Sequence, residues 1–123
     1  MSFEDILVRI LDQSGALAIA LMGSDGIAIS QHESPELVET PLVGELATAG
    51  AEFGRILSEL RKASDQVQGG LVHEAMISLS RFHVILRAID EEAFVLLAVA
   101  PDGNLGKARY LLRRNLAALR KEL

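Results

Sequence analysis

Two stretches, ALAIALM at residues 16–22 and AFVLLAV at residues 93–99, are apolar at every position, and they constrain the fold more than anything else in the chain. A strand points alternate side chains to opposite faces of its sheet, so an unbroken apolar run of this length reads as a strand covered on both sides. Both runs are less than half of the roughly 20 residues that a membrane-spanning helix needs. A sheet with such strands at its centre requires helices on both faces, which makes α/β the expected fold class.

The flanking sequence supplies those helices. SFEDILVRILDQ (2–13) sets Phe3, Ile6, Leu7, Ile10 and Leu11 on one helical face, behind Ser2 as a cap and ahead of Gly15. SDG (24–26) reads as a turn, and IAISQ (27–31) as the second strand of a hairpin that runs to a sheet edge. A polar connection over 32–41 leads to Thr40 and Pro41, the expected cap and first residue of a long helix that extends to Ser64. QGG (68–70) ends that periodicity. Strands are then expected at Leu71–Leu79, Phe82–Ile89 and Ala93–Val99, and their short separators imply antiparallel hairpins. A turn at Ser80-Arg81 sets His73 opposite Ala88 and His83 opposite Ser78. PDGN (101–104) opens a last helix, Leu105–Glu122, with Leu105, Ala108, Leu112, Leu116 and Leu119 facing inward. The expectation is one domain over residues 1–123, with a five-stranded antiparallel sheet between three helices.

Little in this chain points to chemistry. His32, His73 and His83 are not brought together by the expected pairing, and no further metal ligands converge on them. Gly69-Gly70 lacks the continuation of a phosphate-binding loop, and GSDG (23–26) lacks dinucleotide-fingerprint spacing and a following helix. No serine sits in a GxSxG elbow, and the pairs Glu4-Asp5 and Glu91-Glu92 occupy a helix start and a turn, where acids are ordinary. The expected function is therefore binding, not enzymatic, with no catalytic residue, cofactor or metal. Neither cysteine nor a charged-then-apolar leader is present, which makes the cytoplasm the expected compartment.

Charge is unevenly distributed. The net charge is −5, but Lys107, Arg109, Arg113, Arg114, Arg120 and Lys121 all fall in the last seventeen residues, which leaves −10 on residues 1–103. A basic last helix on an acidic body fits a solvated face or contact with an anionic partner, and nucleic acid is not expected.

The long middle helix holds Gly44, Gly50 and Gly54, each costing about 1 kcal/mol relative to alanine. Leu46, Phe53, Leu57 and Leu60 form its bulky stripe, expected to cover the sheet, while Ala47, Gly50, Ala51, Gly54 and Ser58 form a small one beside it. Small side chains permit close approach of another backbone, either a neighbouring segment of the same chain or a second copy across a two-fold axis. The strand after QGG, with Leu71, Ala75, Ile77 and Leu79 on one face and Val72 and Met76 on the other, would be an exposed edge unless paired. The expected dimer contacts are thus Ala47, Gly50, Gly54, Ser58, Leu71, Ala75 and Ile77.

The N-terminal helix followed by GALAIALMGSDGIAIS (15–30), together with EAFVLLAVAPDGNLGKARYLLRRNLAAL (92–119), resembles the roadblock (dynein light-chain) family over nearly the whole chain. That resemblance implies an αββαβββα sandwich with strand order 2-1-5-4-3, helices 1 and 3 on one face and helix 2 on the other. It also implies homodimerisation through the middle helix and third strand into a continuous sheet. Stand-alone bacterial members of the MglB type regulate Ras-like small GTPases of polarity and motility systems. The resemblance therefore implies a partner surface on the paired middle helices, with Ala47, Ala51, Glu52, Arg55 and Glu59 as candidates. Stimulated hydrolysis would work by reshaping the GTPase's own switch residues, or else by an arginine finger from Arg55 or Arg61. The chain stops directly after its last helix, so the nucleotide-exchange role tied to a C-terminal extension in some members is not expected. The alternative is a non-catalytic dimeric scaffold indifferent to nucleotide state.

Overall fold

The computed structural model describes residues 2–35 and 43–123, with side chains in the second stretch from Glu45 onward. Thr40 and Pro41, the expected start of the middle helix, lie outside the described residues. Helix α1 (Phe3–Ser14) opens with a reciprocal cap. The Asp5 amide donates to Ser2 Oγ at 3.2 Å, and the Ser2 amide donates to the Asp5 carboxylate at 3.3 Å. The helix ends at Gly15, whose φ of 68° lies in the left-handed region where a side chain would be strained.

Strands β1 (Ala18–Gly23), β2 (Ala28–Glu33), β3 (Glu74–Ser78), β4 (His83–Ala88) and β5 (Ala93–Val99) form one antiparallel sheet in the order β2-β1-β5-β4-β3. The two doubly apolar runs sit where their composition requires. β1 and β5 are neighbours in the interior of the sheet, and all seven residues of β5 are buried. Ser78 pairs with His83, and the Ala88 amide donates to the His73 carbonyl at 3.0 Å, so the expected register holds.

β3 starts at Glu74, three residues later than expected. Gln68 and Gly70 take φ values of 54° and 83°, and Ser64 Oγ donates to the Gly70 carbonyl at 2.6 Å. This ties the incoming chain to the end of the preceding helix before it can join the ladder. Val72 packs with Ala75 on the same face of the sheet, not with Met76 as its spacing suggested, because it lies in this irregular approach.

One face of the sheet is covered by α1 and by α4 (Leu105–Glu122), which starts at an Asn104 cap accepting from the Lys107 amide at 3.0 Å. Ile6, Leu7, Ile10 and Leu11 meet Ala108, Leu112, Leu116 and Leu119 over Ile19, Ile85, Val95 and Leu97. Buried Asn115 lies in this seam, accepting from Arg9 Nη2 at 2.9 Å and donating to the Leu111 carbonyl at 2.8 Å. The opposite face carries α2 (Val43–Thr48) and α3 (Gly50–Gln66). A single helix was expected there. The two pieces are separated at Ala49, yet Ala49 donates to Glu45 and Phe53 donates to Ala49, both at 3.0 Å, so the interruption next to Gly50 is a local distortion of a nearly continuous helix.

Candidate partner-binding surface

The two faces of the sheet are covered unequally. Five strands at about 4.8 Å spacing make a sheet roughly 20 Å wide, and one helix with its side chains spans about 10 Å. Two long helices shield the α1/α4 face, whereas α3 with its short extension α2 is all that covers the other face among the described residues. Towards the β3 edge Val72, Ala75 and Phe82 are only partly buried against the core, as are Leu17 and Ala28 towards the β2 edge and Phe53 on α3.

Exposed apolar side chains border this region. Ile56 and Leu60, one turn apart on α3, are 42% and 38% exposed, and Leu71 before β3 is 78% exposed. Leu60 was expected in the core-facing stripe with Leu46, Phe53 and Leu57; the structure buries Leu46 and Leu57, half-buries Phe53 and leaves Leu60 outside. The helix is rotated so that Gly50 occupies a place in the buried face. A shallow groove along α3 is lined by Glu52, Arg55, Ile56, Glu59 and Leu60.

The small residues have a role within the chain. Gly50 is buried against the Met22 side chain of β1, and a Cβ there would collide with it. Gly54 faces the Phe94 ring of β5, with a 3.4 Å approach for a Cβ. Gly26, at φ 85° in the β1–β2 turn, presses on Ala51, whose Cα and Cβ would lie 2.9 Å from any added Cβ. Ala51 is thus approached by the backbone of the chain's own hairpin at Gly26, while Gly50 and Gly54 make room for the Met22 and Phe94 side chains. Of the other expected contact residues, Ala47, Ala75 and Ile77 are half-buried, and Ala51, Ser58 and Leu71 are exposed.

The charged candidates all project from α3. Glu52 pairs with Arg55 at 2.9 Å and Glu59 with Lys62 at 3.0 Å, both well exposed. Arg61 is engaged differently: its Nη2 donates to the Asp90 carbonyl in the β4–β5 turn at 3.2 Å. Ile56 had no assigned role in the sequence reading, and the signal for it was an apolar pair at i and i+4, Ile56 and Leu60, offset from the Leu46–Leu57 stripe.

Beside this surface, a cavity of about 580 Å³ opens between the end of α3, residues 70–73 and the β4–β5 turn, with Arg61, His73 and Arg120 among its lining residues. Arg120 Nε donates to the Ile89 carbonyl at 2.7 Å, so both arginines close the turn through main-chain carbonyls. The histidines have local roles or none: His83 Nδ1 lies 2.9 Å from Ser78 Oγ, His32 Nε2 lies 3.0 Å from Ser30 Oγ, and His73 is exposed. Among the described residues no cluster of three or more potential metal ligands occurs, and no helix is long and apolar enough to cross a membrane.

Comparison with solved structures places this architecture. A Roadblock/LC7 domain from Streptomyces avermitilis superposes with a TM-score of 0.81 at 12% identity, covering 98% of this chain and 97% of its own. The gliding protein MglB from Thermus thermophilus gives 0.86 at 18% identity, covering 98% of this chain and 87% of its own. MglC from Myxococcus xanthus is 35% identical over the whole of both chains, with a TM-score of 0.68. The chain belongs to the roadblock family. Its αββαβββα order, with α2 and α3 as the divided middle helix, and its 2-1-5-4-3 sheet are those the resemblance implied. No family model matches the chain. No curated protein matches it either. Exposed apolar residues lie on α3 (Ile56 and Leu60) and around the β3 edge (Leu71, Met76 and Leu79), and also at the β2 edge (Ile27 and Ile29).

Proposed function

We propose that this roadblock protein is a homodimeric regulator of a bacterial Ras-like small GTPase, and that it stimulates GTP hydrolysis by that partner. The observation that carries the reading is that, among the described residues, the α2/α3 face is incompletely covered and β3 has no strand paired on its outer edge. A second copy related by a two-fold axis brings its own α3 alongside, shields Ile56, Leu60 and Leu71, and continues the ladder from β3 to β3. Ser58, Ala75 and Ile77 lie near this contact, while Gly50 and Gly54 support it from within by seating α3 on the sheet. Ala47, Ala51, Glu52, Arg55 and Glu59 then form the partner surface on the paired helices.

Arg61 donates to the Asp90 carbonyl through one exposed hydrogen bond, worth about 1 kcal/mol, which a partner can displace. Arg55 is held only by an exposed pair with Glu52, an interaction worth under about 1 kcal/mol that a partner can displace. Hydrolysis stimulated through the GTPase's own switch residues predicts that Arg55→Ala changes the rate less than about tenfold. An arginine finger predicts a loss on the order of 10³ or more. The alternative, a scaffold indifferent to nucleotide state, is favoured by the Glu52–Arg55 and Glu59–Lys62 pairs, which leave the outward face of α3 locally neutral. The deciding experiment offers the purified protein as bait in lysate from its own organism, loaded with GDP or with a non-hydrolysable GTP analogue. Capture of one small GTPase in the GTP-analogue state alone, followed by faster hydrolysis with that partner, supports regulation; equal capture in both states supports the scaffold.

A further inference from the structure

The outer surface of the α1/α4 layer, on the other side of the sheet from α3, has an organised charge pattern. On α4, Lys107, Arg114 and Lys121 are exposed and seven residues apart, which spaces them about 10.5 Å along one line of the helix. On α1, Asp5 and Asp12 are exposed at the same separation. The helices run antiparallel: α1 leads into β1 and α4 leaves β5 at the same end of the sheet, where Ala18 pairs with Ala98, and mid-helix Arg9 reaches mid-helix Asn115. Packed helices lie about 8–10 Å apart, so a row of bases runs beside a row of acids. Among the described residues none of these five side chains is in an ion pair. Exposed Val8 and Tyr110 lie on the same layer.

A uniformly anionic plane, whether lipid or nucleic acid, would attract one row and repel the other. A second copy of the same layer, turned by a two-fold axis, sets each basic row on an acidic one, twice, in matching steps. We infer that the α1/α4 layer is a second self-association surface, by which copies of this protein assemble through charge complementarity independently of any contact made by α3 and β3.

The test is sedimentation equilibrium of the full chain at low and high salt, using two charge-reversed forms. One carries Lys107→Glu, Arg114→Glu and Lys121→Glu; the other carries Asp5→Lys and Asp12→Lys. Because Asp5 also closes the α1 cap, Asp12→Lys alone is run in parallel, and circular dichroism checks that each form is folded. The wild type is expected to gain a salt-sensitive association step at low salt that is absent at about 0.5 M. Each reversed form alone should lose that step, with at least a tenfold weaker dissociation constant, because every exposed pair is counted twice across the axis. An equimolar mixture of the triple- and double-reversed forms should regain it, since the two rows are then both acidic on one form and both basic on the other. A wild-type mass independent of salt, or a mixture that fails to associate, overturns the inference. So does tight binding of the wild type to phosphatidylserine vesicles without self-association, which would assign the basic row to lipid.

Discussion

Replacing Glu74 with alanine should be among the most damaging single changes outside the apolar core. Glu74 sits on the edge strand β3, facing α4, where its carboxylate meets Arg87 of β4 at 3.5 Å and Arg109 of α4 in a close contact. The Glu74 and Arg87 side chains are only 11% and 13% exposed, and Arg87 Nε is buried with no hydrogen-bond partner, so Glu74 is the sole acid compensating that guanidinium among the described residues. Removing one member of a buried pair leaves an uncompensated charge, at a cost of about 3–5 kcal/mol. At roughly 3–5 °C per kcal/mol for a domain of this size, the midpoint should fall by about 10–25 °C. Arg109 is 49% exposed and can rehydrate, so Arg109→Ala should cost under about 1 kcal/mol. Replacing both buried partners together, Glu74→Leu with Arg87→Leu, should recover most of the loss, because no buried charge remains. Thermal denaturation followed by circular dichroism, with all variants at one protein concentration, distinguishes these cases. Equal losses for Glu74→Ala and Arg109→Ala, or no recovery in the double variant, would show that packing and not buried charge governs this corner.

Other substitutions test separate parts of the molecule. Gly26→Ala should destabilise by about 2–3 kcal/mol, since it forces a positive φ on a side chain and drives its Cβ onto the Ala51 backbone; urea denaturation reads this directly. Ser2→Ala removes the α1 cap and should cost about 1 kcal/mol in the same assay. Ile56→Asp with Leu60→Asp should lower the solution mass to that of a protomer while the helix content is kept, as light scattering and circular dichroism would record; an unchanged mass would remove α3 from the proposed dimer contact.

Much of the fold is legible because its determinants are local. The doubly apolar β1 and β5, the Ser2 cap, the PDGN start of α4 and the turn at Ser80-Arg81 each act within a few residues, and all of them appear where periodicity and turn chemistry put them. What periodicity could not supply was rotation. The angular spacing of Leu46, Phe53, Leu57 and Leu60 permits several orientations of the middle helix, and the one adopted depends on Met22, Phe94 and the Gly26 turn, which are distant in sequence. The small stripe was legible as a place of close approach, but that Gly26 of the hairpin meets Ala51 and that Met22 and Phe94 meet Gly50 and Gly54 is written jointly in distant segments. Glu74 with Arg87 was similarly hidden, because a cross-strand ion pair becomes visible only when register and burial are both known.

Arg61 and Arg120 come from helices on opposite faces of the sheet, yet they donate to the carbonyls of consecutive residues, Asp90 and Ile89. The β4–β5 turn is therefore a common anchorage, a corner where the two layers are fastened to one short piece of backbone. Two layers separated by the sheet thus share one turn as hydrogen-bond acceptor, so a substitution that reshapes residues 89–90 disturbs both layers together.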